Sequence, residues 1–216
     1  FYTDTVDAQV VTQTLLINKP ITIVGGFDSG DAFTQFQPIT NVVRFVGNNS
    51  ADNNHRVIYV TDGITVTLEG IYISGGRDEV AGGGIYNQGA DLTLKGVIVE
   101  SNVATFGSGL YHETGNLLIN SSVFIGNSTP PFVEGNGAGI YMSDGSLILE
   151  NNTFVSNDAT GITSLDVEAD PPPVSSASGY GGGIYQAAGS LTLLNNIFAQ
   201  NGGNLNTDDG NVPTSA

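Results

Sequence analysis

Seven side chains in this sequence could take up a proton or hold a negative group: Lys19, Lys95, Arg44, Arg56, Arg77, His55 and His112. Two short stretches set such bases beside acids or amides. They are "NNHR" at Asn53–Arg56 and "GGRDE" at Gly75–Glu79. A base held against a carboxylate is the minimum for general acid–base work. The plainer reading of both stretches is a pair of solvated loops, and that is the expectation here.

A second possibility is cation ligation. The stretch "DATGITSLDVEADPPPVSSASGYG" holds Asp158, Asp166, Glu168 and Asp170 ahead of Pro171–Pro173, and ends near Tyr180. Carboxylate and carbonyl oxygens suit Ca2+. The spacing, however, matches no compact D-x-D-x-D-G loop, and the Gly-Gly-x-Gly-x-Asp calcium repeat is absent. Asp166, Glu168 and Asp170 are weak Ca2+ candidates, and no other cofactor is expected. A second loop, "STPPFVEGN", places Phe132 on a proline-stiffened tip beside Glu134. Phe132, Glu134, Asp158, Asp166, Glu168, Asp170 and Tyr180 are the candidate binding residues, and no catalytic set is assigned.

These residues need a scaffold, and the scaffold is written four times. Aligned on Tyr86, Tyr111, Tyr141 and Tyr185, the units step by 25, 30 and 44 residues. Leu94, Ile119, Leu149 and Leu193 repeat those steps, as do Val99, Phe124, Phe154 and Phe198, and then Asn102, Asn127, Asn157 and Asn201. Spacing inside the unit is rigid. All length variation falls between the closing Asn and the next Gly-Ile-Tyr. Each unit carries period-2 alternation, as in Leu92-Thr93-Leu94, which fits a half-buried strand rather than a helix. Gly96, Ser121, Asn151 and Asn195 follow the strand, where a sharp corner needs a left-handed residue. Ser121 suits that conformation least.

One such unit cannot bury its own apolar face, but stacked units can, by setting like residues on like. The expectation is an all-β, single-stranded parallel β-helix of about six or seven rungs, each rising about 4.8 Å, with long loops at one corner. A degenerate unit at Ile64–Gly76 aligns at a step of 26, with "VIYV" at Val57–Val60 as its first strand. Upstream, Thr14–Phe27 and Asn41–Ser50 read as two earlier rungs. The domain reading is one β-helix over 1–201, irregular over 1–55 and repetitive over 56–201, with 202–216 a polar tail. Both 1–8 and 202–216 look too poor in pattern to be firm caps. The closing Asn column should form amide ladders. If Ile85 faces in, alternation turns Tyr86 and its counterparts out, as a strand-bracing stack or a platform for sugar rings.

Composition narrows the partners. Five basic and 21 acidic residues give a net charge of −16. Such a chain repels phosphate backbones, so nucleic acid is not an expected partner. It has no cysteine and hence no disulfide or thiolate metal site. No apolar run reaches the 18 residues of a membrane helix, so no direct membrane insertion is expected. The first residue is Phe1 rather than Met, which reads as a processed product or part of something longer. N-x-[ST] sequons at Asn48, Asn120, Asn127 and Asn151 are of the number an Asn- and Ser-rich chain produces by chance.

The starts "GGGI" (Gly82–Ile85, Gly181–Ile184) and the closes "FIGN", "FVSN" and "FAQN" resemble the repeats of the polymorphic outer membrane proteins. They are also similar to the wider pectin-lyase-like set of secreted bacterial β-helices. "GSGL" and "GAGI" are imperfect starts, and Val99 stands where Phe is usual. The resemblance spans roughly Leu15–Asn201. It implies a right-handed β-helix and a secreted or cell-surface passenger, adhesive or structural, that meets a surface protein, a glycan or neighbouring subunits. Catalysis is not implied by the fold. Among resembling enzymes, lyases use a basic proton abstractor with Ca2+ on clustered Asp, and hydrolases use several close Asp residues with a His. No Asn-Thr-Asp or Gly-His-Gly motif of that kind occurs here. A polysaccharide lyase, hydrolase or sugar binder is the alternative, and a subunit of a larger surface assembly is a third reading.

Overall fold

A computed structural model describes residues 2–6, 9–26, 43–47, 54–130, 133–160 and 179–203. Its regular elements are all strands, and they come in triplets. The first rung holds β2 (Gln9–Ile17), β3 (Ile21–Val24) and β4 (Val43–Val46), preceded by β1 (Tyr2–Val6). The second holds β5 (His55–Val60), β6 (Thr65–Glu69) and β7 (Ile71–Ser74). The third holds β8 (Ile85–Asn87), β9 (Asp91–Lys95) and β10 (Ile98–Glu100). The fourth holds β11 (Leu110–His112), β12 (Asn116–Asn120) and β13 (Val123–Ile125). The fifth holds β14 (Ile140–Met142), β15 (Ser146–Glu150) and β16 (Thr153–Val155). The sixth holds β17 (Ile184–Gln186), β18 (Ser190–Leu194) and β19 (Ile197–Ala199).

Corresponding strands pair in parallel into three sheets, so the chain winds through six rungs. The register is the one the repeat spacing demands. Tyr86 meets Tyr111, Tyr111 meets Tyr141, and Tyr141 meets Tyr185. The degenerate unit falls into line, with Ile58 on Ile85, Val66 on Leu92 and Ile73 on Val99. Two upstream readings change. Thr14–Phe27 and Asn41–Ser50 are not two rungs: β2, β3 and β4 together make one, paired to β5, β6 and β7. The long stretch between β3 and β4 hid their common membership. In addition, β1 lies antiparallel on β2, so residues 2–6 do cover one of the three edges at that end.

The core is a set of columns. Ile58, Ile85, Leu110 and Ile140 line it from the first sheet, Leu68, Leu94, Ile119 and Leu149 from the second, and Ile73, Val99, Phe124 and Phe154 from the third, all fully buried. Phe124, Phe154 and Phe198 stack at 4.9 Å between centroids. The corner between second and third sheets is left-handed in every rung from the second to the sixth: Gly70, Gly96, Ser121, Asn151 and Asn195 have φ of 51–61°. Ser121 takes it in spite of its Cβ, at φ 51°, because its neighbours above and below fix the corner. The closing corner repeats the device with Gly75, Ser101, Gly126, Ser156 and Gln200. The sequence pattern did not point to that second corner, since its residue types are mixed.

Both turns are sealed by amides. The closing Asn residues form the expected ladder: Asn102 Nδ2 donates to Asn127 Oδ1, Asn127 Nδ2 to Asn157 Oδ1, and Asn157 Nδ2 to Asn201 Oδ1, at 2.8–3.0 Å. Each Oδ1 also accepts the backbone N–H of the Asn above it. The second amide of each Asn-Asn doublet builds another: Asn152 Nδ2 donates to Asn196 Oδ1 and to Ile119 O. Ser122 takes the same place one rung up. Buried corner backbone is satisfied by side chains where strand pairing stops.

Candidate binding surface

The loops issue from the corner that leads from the third sheet back to the first. Its shortest form is Val103-Ala104-Thr105-Phe106. Backbone bridges run down it in two lines, Val103 to Ser128 to Asp158 and Phe106 to Asn136 to Tyr180. Between those anchors the next two rungs carry extra chain. The insertions are therefore residues 130–134 and 160–178, narrower than the spacing alone gave, and their bases lie one above the other.

The candidate residues divide on this frame. Glu134 is exposed beside the first insertion. Asp158 is half-buried and closes the base of the second: its Oδ1 accepts from Thr160 N at 2.9 Å and Thr160 Oγ1 at 2.6 Å. Tyr180 closes the other side, its N–H donating to Asn136 Oδ1 at 2.9 Å. Asp158 and Tyr180 are thus anchors of the loop. Phe132, Asp166, Glu168 and Asp170 lie outside the described residues. Among the described residues no three His, Asp or Glu side chains gather into a metal-sized cluster.

On the adjoining first sheet Tyr59, Tyr86, Tyr111, Tyr141 and Tyr185 form one outward ladder, half-buried, with centroids 5.0–5.2 Å apart and planes 11–27° from parallel. Sugar stacking needs an open ring face. Here each inner ring shows its faces to its neighbours, and Phe106 closes on Tyr141 edge-on at 5.3 Å. What the ladder presents outward is edges and hydroxyls. One of these, Tyr86 Oη, donates to Glu113 Oε2 at 2.8 Å. Burial and that bond push the Tyr86 phenol well above its ordinary range.

The two basic–acidic stretches are not solvated loops. They meet, and His55 and Arg56 of the first and Asp78 of the second are buried. Arg56 Nη2 donates to Asp78 Oδ2 at 2.8 Å, with both residues at most 5% exposed. Asp78 Oδ1 accepts from Val80 N and Ala81 N. The Arg56 guanidinium lies 4.8 Å from the Tyr86 ring and 5.2 Å from the Tyr59 ring. Asp78 so fixes a turn with one oxygen and a desolvated cation with the other, while Arg56 ties the turn to the Tyr ladder. Sequence reasoning missed the pair because its members are 22 residues apart, about one rung. Among the described residues Arg56 reaches a single carboxylate. Arg44 lies elsewhere, 4.1 Å from the Tyr72 ring. The remaining histidine of interest, His112, is wholly buried in the column of Asn87 and Met142.

Asn87 Oδ1 accepts from Ala90 N, which turns Asn87 Nδ2 toward His112 Nδ1 at 3.0 Å. The proton of the neutral ring then sits on Nε2. Burial lowers His112 from 6.5 to about 4. The folded state keeps the ring neutral where the unfolded chain takes a proton. Stability is therefore complete above about pH 6.5 and is lost as pH falls toward 4, by about 3 kcal/mol over that window. Denaturant titration between pH 7 and pH 4 checks this. His112→Met, which matches Met142 below it, should flatten the difference; an equal pH slope in both proteins would remove His112 as the cause.

Comparison with known proteins adds one finding. The family model described as "Right handed beta helix region" matches residues 34–169, more than half of the chain. No curated protein and no solved structure matches.

Proposed function

The chain belongs to the right-handed β-helix family, and from that fold we propose that it is a non-enzymatic surface module. In this reading it works outside the cell, in the manner of the polymorphic outer membrane proteins of bacteria, as an adhesive or structural element. Its partner is a surface protein or glycan, and the contact is made by the loops 128–138 and 158–182. The observation that carries the reading is the stacked origin of the two insertions. Long loops on a rigid frame are where recognition residues are found, and consecutive rungs bring these two to one place.

The alternative, a carbohydrate-active β-helix, has the outward Tyr ladder as its best support. Mutual covering of the ring faces and the single-carboxylate, buried setting of Arg56 weigh against it.

Deletion of 160–178 tests the reading. It joins Ala159 to Gly179 and restores the four-residue corner of Val103–Phe106. The stack should survive, with a thermal midpoint within about 5 °C of the parent. Binding to arrays of extracellular proteins and glycans should be lost. Glycan binding or polysaccharide cleavage that persists in the deleted protein would move the function to the ladder and sink the proposal.

A further inference from the structure

Few side chains of this protein give up a single electron easily. It has no Cys and no Trp, and its one Met, Met142, is wholly buried. The tyrosines are then its readiest one-electron donors. Five of them, Tyr59, Tyr86, Tyr111, Tyr141 and Tyr185, stand in the ladder on the first sheet, each half-buried. Their rings are near-parallel and 5.0–5.2 Å apart between centroids, so neighbouring π-systems touch. An electron taken from one ring can be replaced from the next. Bracing of adjacent strands accounts for the stack. It does not account for the carboxylate bonded to one of its hydroxyls.

A phenol that loses an electron becomes a strong acid, so the electron leaves readily only where a base can take the proton. Tyr86 has that base: its Oη donates to Glu113 Oε2 at 2.8 Å. Glu113 is held there by its backbone N–H, which donates to Asn87 O at 2.9 Å, at the end of the Tyr86 strand. Among the described residues the hydroxyls of Tyr111, Tyr141 and Tyr185 have no carboxylate bonded to them. A cation over a ring makes its electron harder to remove. Arg56 lies 4.8 Å from the Tyr86 ring, but Asp78 answers its charge at 2.8 Å.

We infer that the ladder is a relay for one-electron oxidation that collects the radical at Tyr86 while Glu113 holds the proton. The agents it meets are small oxidising radicals of the kind that peroxide chemistry yields. The oxidant takes one electron at the outward edge of a ladder ring and is itself reduced by one. Electrons pass along the stack until Tyr86 is the ring that lacks one. Its Oη–H bond breaks and the proton bonds to Glu113 Oε2. The products are a neutral phenoxyl radical and a neutral carboxylic acid. A one-electron reductant such as ascorbate returns the electron, and Glu113 returns the proton.

The inference does not depend on what the loops bind. Its test uses the whole chain, in which an introduced cysteine is the only one. Ala187→Cys, exposed and close after Tyr185 in the chain, is labelled with a ruthenium polypyridyl complex. A light flash with persulfate turns that label into a one-electron oxidant. Electron paramagnetic resonance should then show a neutral tyrosyl radical. Glu113→Gln keeps an oxygen that accepts the hydrogen bond but removes the base, and should shorten the radical's lifetime about a hundredfold. Tyr86→Phe should shorten it likewise. Tyr141→Phe breaks the stack between the label and Tyr86 and should also give the short lifetime. Tyr72→Phe, outside the ladder, should change nothing. Each variant should keep a thermal midpoint within about 5 °C of the parent, which separates these effects from loss of fold. A radical that lives as long in Glu113→Gln or Tyr86→Phe as in the parent overturns the inference at its site. A lifetime unchanged in Tyr141→Phe overturns the relay.

Discussion

Phe154→Ala is expected to cost the fold about 3–5 kcal/mol, the range for a large buried aromatic cut to a methyl group. Phe154 is fully buried and lies between Phe124 and Phe198, with both centroids at 4.9 Å and both planes within 12° of parallel. Truncation removes two stacked contacts at once and opens a cavity whose floor and roof are aromatic faces. The backbone cannot close that gap, because Thr153 and Val155 are held in register to β13 above and β19 below. Phe154→Leu keeps most of the volume and should lose less than half as much. Urea unfolding followed by circular dichroism measures the difference. A loss below about 1 kcal/mol for the alanine variant would mean that the column relaxes and is not the rigid stack described here.

Asn127→Ala is expected to be nearly as damaging, at about 3–5 kcal/mol, through hydrogen bonds rather than volume. Asn127 Oδ1 accepts from both Asn102 N and Asn102 Nδ2, at 3.1 and 3.0 Å. Its Nδ2 donates to Val99 O at 3.0 Å and Asn157 Oδ1 at 2.8 Å. The site is fully buried. Alanine therefore leaves two donors of Asn102 without partners in a dry corner, each at about 1–3 kcal/mol before relaxation, and takes one bond from the Val99 carbonyl. Ser122, which stands in the other ladder where Asn152 stands one rung below, shows that a hydroxyl can fill such a place. Asn127→Ser should thus recover part of the loss. Thermal unfolding of the two variants side by side checks the order, and equal midpoints for alanine and wild type would remove the ladder as a source of stability. Asn127 is also a sequon residue, and its burial keeps it from carrying a glycan in the folded protein.

These two positions show why so much of the fold was legible in the residue order. In a stacked fold the neighbour of Phe154 is found one rung away in sequence, in the same column, so equal spacing already implies contact. The Phe column, the closing Asn ladder, the outward Tyr ladder and the left-handed corner at Ser121 all follow from that one rule. Where the rule lacked a second copy to align, reading failed. The first rung has no motif and a long internal stretch, so its three strands looked like two rungs. The doubled Asn at 151–152 and 195–196 was visible, but which amide turns inward depends on the corner's φ. His55, Arg56 and Asp78 looked like loop residues because a charged residue has no period to betray that it is buried.

The sequence by itself determined the column alignment, the corner that tolerates insertion and the acidic, cysteine-free character of the surface, because each of these is a property of spacing or composition. Only the tertiary structure decided that Arg56 and Asp78 are a buried pair, that the Tyr faces are covered, and that the insertions begin at 130 and 160. Each of those is settled by the distance between groups about a rung or more apart in the chain, which winding sets and local pattern does not record.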